Sequence, residues 1–148
     1  MSDNDTYNLK RFLDAQQGDY EQALSEIRSG RKRSHWIWYV FPQLEDLGRS
    51  GTAKYYGISG AEEARAYLAD PVLGARLREI SAALLTLDEN NPSRVMGYPD
   101  DLKLRSCMTL FDAVSDGNEE DSVFSAVLDK FYGGEPDSKT LHLLGISG

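Results

Sequence analysis

The stretch Leu73-Gly74-Ala75-Arg76-Leu77-Arg78-Glu79-Ile80-Ser81-Ala82-Ala83-Leu84-Leu85-Thr86-Leu87 decides the fold. Its Leu73, Leu77, Ile80 and Leu84 follow one another at intervals of four, three and four, which stacks them on one face of an α-helix. Asp70-Pro71 ahead of them supplies a cap and a first-turn residue in the favoured order, so a central helix is expected from there to about Leu87. Working outward, the same three-and-four spacing recurs. Upstream, Ser59 with Glu62 and Glu63 has the capping-box spacing for a helix reaching about Leu68. Downstream, residues 88–92 read as a polar turn, and Asp100 can cap a helix whose Leu104, Met108 and Phe111 share a face. Residues 116–121 form an acidic break. Val123, Phe124, Val127, Leu128 and Phe131 mark a last long helix closed by Gly133 and Gly134, and Asp137 can cap a final turn or two holding Leu141 and Leu144.

Toward the N-terminus, one short helix is expected through Leu9, Phe12 and Leu13, and a second after Asp19, carrying Ala23, Leu24 and Ile27 and stopping at Gly30. Ser34 can cap a brief aromatic helix over residues 35–41, which Pro42 bounds. Residues 43–59 hold Gly48, Gly51 and Gly57, so a loop with at most one helical turn near Ala53 to Tyr56 is expected, a candidate lid. Leu and Ala supply 30 residues against 11 for Val and Ile, a balance that favours helix over strand. The expected fold is all-α, a compact single helical domain over residues 1–148.

The 148 residues fit one domain, and 41% hydrophobic side chains suffice for a core. A net charge of −8 repels polyanions at long range and argues against generic nucleic-acid binding. No run approaches the ~18 apolar residues of a membrane span. The single Cys107 cannot form an intrachain disulfide, and the start lacks a secretion-signal pattern, so a cytoplasmic address is expected. His, Cys and carboxylates do not fall at metal-ligand intervals, and no metal site or cofactor is implied.

The densest unusual segment is Gly30-Arg31-Lys32-Arg33-Ser34-His35-Trp36-Ile37-Trp38-Tyr39-Val40-Phe41-Pro42-Gln43. Three adjacent cations ahead of a helix oppose its dipole, a conflict that an anion would relieve. Arginine grips phosphate through paired hydrogen bonds, and an indole face stacks on a base. The competing reading makes the cations a solvated turn at the end of the preceding helix and Trp36 and Trp38 core residues. His35 is either a hydrogen-bond donor fixing the turn or an acid–base group; His142 and Cys107 read as structural. In the second segment, residues 96–111, Asp100 and Asp101 precede Lys103 and Arg105. Adjacent helical residues diverge by about 100°, so the two carboxylates do not form a matched acid–base pair. Either they cap the helix and pair locally, or one of them offsets positive charge developing on a sugar carbon.

Phe12-Leu13-Asp14-Ala15-Gln16, Gly30-Arg31-Lys32 and the run from Ser34 to Gln43 closely resemble the bacterial family known as domain of unknown function 1810, whose members are often mislabelled as calpastatin. The likeness continues through Glu63-Ala64, Tyr67-Leu68, Pro71-Val72-Leu73-Gly74, Arg76-Leu77, the run from Pro99 to Ser106, and Met108 to Phe111. This resemblance implies a helical fold. More distantly the family is similar to the YbiA-like group, whose NADAR branch is associated with ADP-ribose metabolism and includes N-glycosidases; none of that branch's catalytic residues is carried over.

Two functions are expected from these readings. The first is recognition of an ADP-ribose-like or ribosyl-phosphate ligand, a nucleotide-like small molecule, with hydrolysis of an N-glycosidic bond. Arg31, Lys32, Lys103 and Arg105 would hold phosphate, Trp36 or Trp38 would stack, and Ser34 and Gln43 would add polar contacts. Asp100 or Asp101 would offset the oxocarbenium-like charge, and His35 would serve the leaving group or orient water. The alternative is a non-catalytic protein-interaction module using the aromatic segment from Trp36 to Phe41. The oligomeric state is open.

Overall fold

A computed structural model describes residues 6–115, 117 and 119–146. Among these there are nine α-helices, α1 (Lys10–Arg28), α2 (Ile37–Val40), α3 (Gly51–Tyr55), α4 (Ala61–Ala69), α5 (Leu73–Leu85), α6 (Pro92–Met96), α7 (Asp100–Val114), α8 (Ser122–Tyr132) and α9 (Ser138–Leu143), with short 3₁₀ turns at Glu45–Leu47 and Glu119–Asp121. No strand is present among them, and the all-α expectation holds.

The central helix forms as its spacing requires: Leu73, Leu77, Ile80 and Leu84 are all buried, and α5 packs on α1, α4 and α8. Asp70 caps it through one carboxylate oxygen that accepts from the amides of Val72 and Leu73. Gly74 is fixed by contact, because a Cβ there would lie 2.2 Å from the Leu68 carbonyl oxygen. The second axis of the bundle is α7, which packs on α4, α6, α8 and α9. Phe12, Tyr67, Phe111 and Phe124 form a row of aromatic contacts through α1, α4, α7 and α8, with centroids 5.1, 5.3 and 6.0 Å apart. Cys107 is fully buried in α7, where burial pushes its thiol up. The expected close of α8 is present: Gly133 is left-handed and the Gly134 amide reaches back to Leu128. Asp137 caps α9 by accepting from the Thr140 amide at 3.0 Å.

Six expectations need correction. Ser59 does not cap α4, whose N-cap is Gly60 with no side-chain cap bond, and Ser34 does not cap α2, which starts after Trp36, because its hydroxyl donates to Glu26. The two N-terminal helices are one, α1, running straight through Gly18 and Asp19. Phe12, Gln16, Tyr20, Ala23, Leu24 and Ile27 make one unbroken buried stripe, and that burial outweighs the ~1 kcal/mol that a mid-helix glycine costs. Asp19 caps nothing; its carboxylate accepts from the Tyr39 hydroxyl. Residues 43–59 carry a 3₁₀ turn as well as α3, which Ser50 caps through the Ala53 amide. The segment also closes on itself by a parallel bridge between Leu44 and Ile58. Residues 88–92 lead into α6, for which Asn91 is the cap and Pro92 the first residue. Finally, Asp100 lies inside the first turn of α7 rather than capping it, and its carboxylate faces two lysines.

Candidate functional site

The 30–36 turn is built around a carboxylate. Glu26, on the last turns of α1, is only 3% exposed. One of its oxygens accepts from the amides of Arg33 and Ser34 and from Trp36 Nε1, at 2.7, 2.9 and 2.9 Å. The other accepts from Ser34 Oγ and Gln22 Nε2 at 2.6 and 2.7 Å. Burial alone would raise its pKa, but the donors from Gln22, Ser34, Arg33 and Trp36 prevail and hold the carboxyl well below the usual carboxylate range. An anion does gather this turn, and it is the protein's own. The preceding helix explains the fit, since the Arg31 amide returns to the Glu26 carbonyl as the cap of α1.

Lys32 then joins the turn to the second segment. Its amide donates to the Val95 carbonyl of α6 at 2.7 Å. Its ammonium, on a side chain only 6% exposed, lies 2.7 Å from Asp100 Oδ2 and 2.6 Å from the Ser34 carbonyl. Asp100 Oδ1 is 3.4 Å from the Lys103 ammonium. The two lysines cover the two indoles: Lys32 stands 5.1 Å from the Trp36 ring centroid and Lys103 stands 5.6 Å from that of Trp38. The segments near residues 31 and 100, far apart in sequence, therefore meet in a chain of alternating charge, Lys32, Asp100, Lys103.

Beside Lys103 a groove of about 440 Å³ opens between the 47–53 segment and the start of α7. Leu47, Ala53, Pro99 and Leu102 give it an apolar side; Gln43, Ser50 and Ser106 add neutral polar groups; Arg49, Lys103 and Lys139 make it cationic. Its one acidic residue, Asp137, is engaged with Thr140 through both amide and hydroxyl. Neither Arg49 nor Lys139 has an ion-pair partner among the described residues. The wall that carries Arg49 is fixed from behind. Arg11 donates to the carbonyls of Tyr55 and Gly57 at 2.8 and 2.9 Å and pairs with Glu63 at 2.8 Å. Glu63 in turn accepts from the Ser59 amide at 2.8 Å. Gly57 backs directly onto Glu45, whose Cα would lie 2.4 Å from an added Cβ.

Of the residues singled out from sequence, Gln43 and Lys103 line this groove, and Asp100 and Trp38 sit against Lys103. Trp36 is 1% exposed, so its ring meets core and Lys32 rather than a base. Ser34 is spent on Glu26. Arg31 and Lys32 border a different hollow, with Ser93, Arg94, Val95 and Gly97. His35 is exposed and lines neither. Asp101 faces away from Asp100, accepting from Ser93 Oγ at 2.7 Å, while its carbonyl accepts from the Tyr132 hydroxyl at 2.6 Å. Arg105 turns to Glu135, donating to its carbonyl at 2.9 Å, and lies over the Tyr132 ring. Arg49, Lys139 and Glu26 carry no motif in the sequence. The one available signal is that Arg49 sits between Gly48 and Gly51 in the glycine-bearing stretch marked as a candidate lid. No group of three His, Cys, Asp or Glu among the described residues is placed to hold a metal, and none of the helices is long and apolar enough to cross a membrane.

Comparison with known proteins agrees with this architecture. No curated protein matches the chain. A solved structure, that of the conserved hypothetical protein Rv1873 from Mycobacterium tuberculosis, is similar at 45% sequence identity with a TM-score of 0.91, over 97% of this chain and 100% of that one. The family model described as "Protein of unknown function (DUF1810)" matches residues 6–144, nearly everything from the turn ahead of α1 to the residue after α9, and the chain belongs to that family.

Proposed function

We propose that the groove between the 47–53 segment and α7 binds a small phosphate-bearing ligand of the nucleotide or ribosyl-phosphate class. One observation carries this reading: three cations, Arg49, Lys103 and Lys139, converge on a half-apolar hollow of a chain whose net charge is −8. On so acidic a protein, positive charge gathered around a concavity, two of the three cations being without an ion-pair partner among the described residues and the third only 3.4 Å from Asp100, suits a ligand that brings negative charge and a flat body. The apolar side formed by Leu47, Pro99 and Leu102 packs against the sugar and one edge of the body, and Gln43 and Ser50 offer hydrogen bonds to sugar hydroxyls. Water cleavage of an N-glycosidic bond would draw on Asp100 behind Lys103 as the counter-charge. Asp100 already balances two ammonium groups, which favours binding over turnover. The aromatic segment offers little to a protein partner, since Trp36, Ile37, Val40 and Phe41 are buried.

Titration calorimetry with AMP, ribose 5-phosphate and ADP-ribose tests the reading. Each charge-assisted contact to phosphate contributes about 1.5–3 kcal/mol, so the double variant Lys103→Ala/Lys139→Ala is expected to weaken binding at least tenfold. Both side chains border solvent, so the fold should persist. Affinity unchanged in the double variant, or no heat with any of the three compounds, would sink the proposal. Incubation with NAD, followed for nicotinamide release, reads out the hydrolytic step separately.

A further inference from the structure

A second cationic hollow, of about 390 Å³, is lined in part by Gly97, two positions along the chain from Pro99 of the groove. Arg31 and Arg94 border it, both exposed. Lys32 lies at its edge, but its ammonium turns inward to Asp100, Ser34 and Trp36, so the free positive charge belongs to the two arginines. Arg94 has only a loose surface pair, 3.6 Å from Glu89, which an incoming anion can displace at little cost. The position is rigid, because the Lys32 amide pins the 30–36 turn to the Val95 carbonyl. The two hollows flank one short turn: Gly97 borders the second and Pro99 borders the first. Between Gly97 and Pro99 in the chain is Tyr98, 79% exposed, on the turn whose neighbouring residues border the two cationic hollows.

Cation, ring, cation is the complement of phosphate, base, phosphate. Guanidinium forks grip phosphate oxygens, and an exposed tyrosine face stacks on a nucleobase of any sequence. Resting on the groove reading above, we propose that the site extends over Tyr98 to a second phosphate held by Arg31 and Arg94, so that its ligand is a nucleotide unit phosphorylated on both sides. That unit is either a free nucleoside bisphosphate or the end of a single strand. Duplex coating is not involved, since the chain's net charge opposes it.

The test compares AMP, adenosine 3′,5′-bisphosphate and a short single-stranded deoxyadenosine oligonucleotide on the intact protein by calorimetry. The bisphosphate is expected to bind about tenfold tighter than AMP, as one further charge-assisted contact provides. Arg31→Ala/Arg94→Ala removes that gain and leaves AMP affinity unchanged. Tyr98→Ala weakens both nucleotides at least fivefold and Tyr98→Phe does not, the range expected for a lost stack. A gain shared by the oligonucleotide identifies a strand end as the source, and a gain confined to the bisphosphate identifies a free nucleotide; either supports the extended site. Equal affinity for AMP and the bisphosphate, a gain that survives in the double-arginine variant, or indifference to Tyr98→Ala overturns it. In those cases AMP binding that still depends on Lys103 and Lys139 leaves the groove reading standing, whereas no binding by any ligand overturns both.

Discussion

Glu26→Ala is expected to lower the unfolding free energy by about 3–5 kcal/mol, as measured by urea denaturation at neutral pH. The variant strands the Trp36 indole N–H, the Ser34 hydroxyl and two backbone amides that now share one buried carboxylate, and each unsatisfied buried donor costs about 1–3 kcal/mol. Glu26→Gln retains the shape but presents an NH₂ group where only acceptors fit, so it should fall between the two. The pH dependence carries the signature. Because the folded carboxyl ionises below its ordinary value of 4.5, its contribution is fully present above that value and is lost as pH falls below it toward the folded pKa. The wild type and Glu26→Gln should therefore converge in stability on acidification. A gap that stays constant from pH 7 to pH 3 would show that the carboxylate's charge is not what organises the turn.

Arg11→Met should be comparably damaging, at about 3–5 kcal/mol, because it leaves the buried Glu63 without its cation. It also releases the Tyr55 and Gly57 carbonyls, and with them the wall that carries Arg49. The double variant Arg11→Met/Glu63→Met removes both charges together and is expected to recover a large part of the loss, giving a favourable coupling in a double-mutant cycle. Ligand affinity should remain weakened in the double variant, since the carbonyls of the wall are still untethered. Additive losses with no recovery would mean that Arg11 acts through its backbone contacts alone.

What was legible beforehand follows the range of the forces involved. Leu73, Leu77, Ile80 and Leu84, the Asp70 and Asp137 caps, and the Gly133-Gly134 stop are local patterns, and each appears where its spacing placed it. Gly18-Asp19 misled because a glycine and a cap-type residue stand together on a helix whose buried stripe continues past them. A five-residue helix such as α6 shows less than two turns of periodicity, so Asn91-Pro92 looked like a turn alone. Lys32 and Asp100 are brought to 2.7 Å only by the tertiary fold, and no local pattern in either segment specifies that contact. Glu26 was invisible for a plain reason: on α1 it has the same sequence neighbours as any solvated glutamate, and only the turn folding over it makes it a hub. Arg49 and Lys139 come together from positions ninety residues apart, with no local pattern to announce them.

The lone thiol of Cys107, sealed at the centre of α7 and held in its protonated form by burial, gives this protein an internal clock. An alkylating reagent can reach that sulfur only when the bundle opens as a whole, so the labelling rate measures global unfolding directly under native conditions. A loosened 47–53 wall, by contrast, would leave the rate untouched, which separates damage at the groove from damage to the fold without any engineered reporter residue.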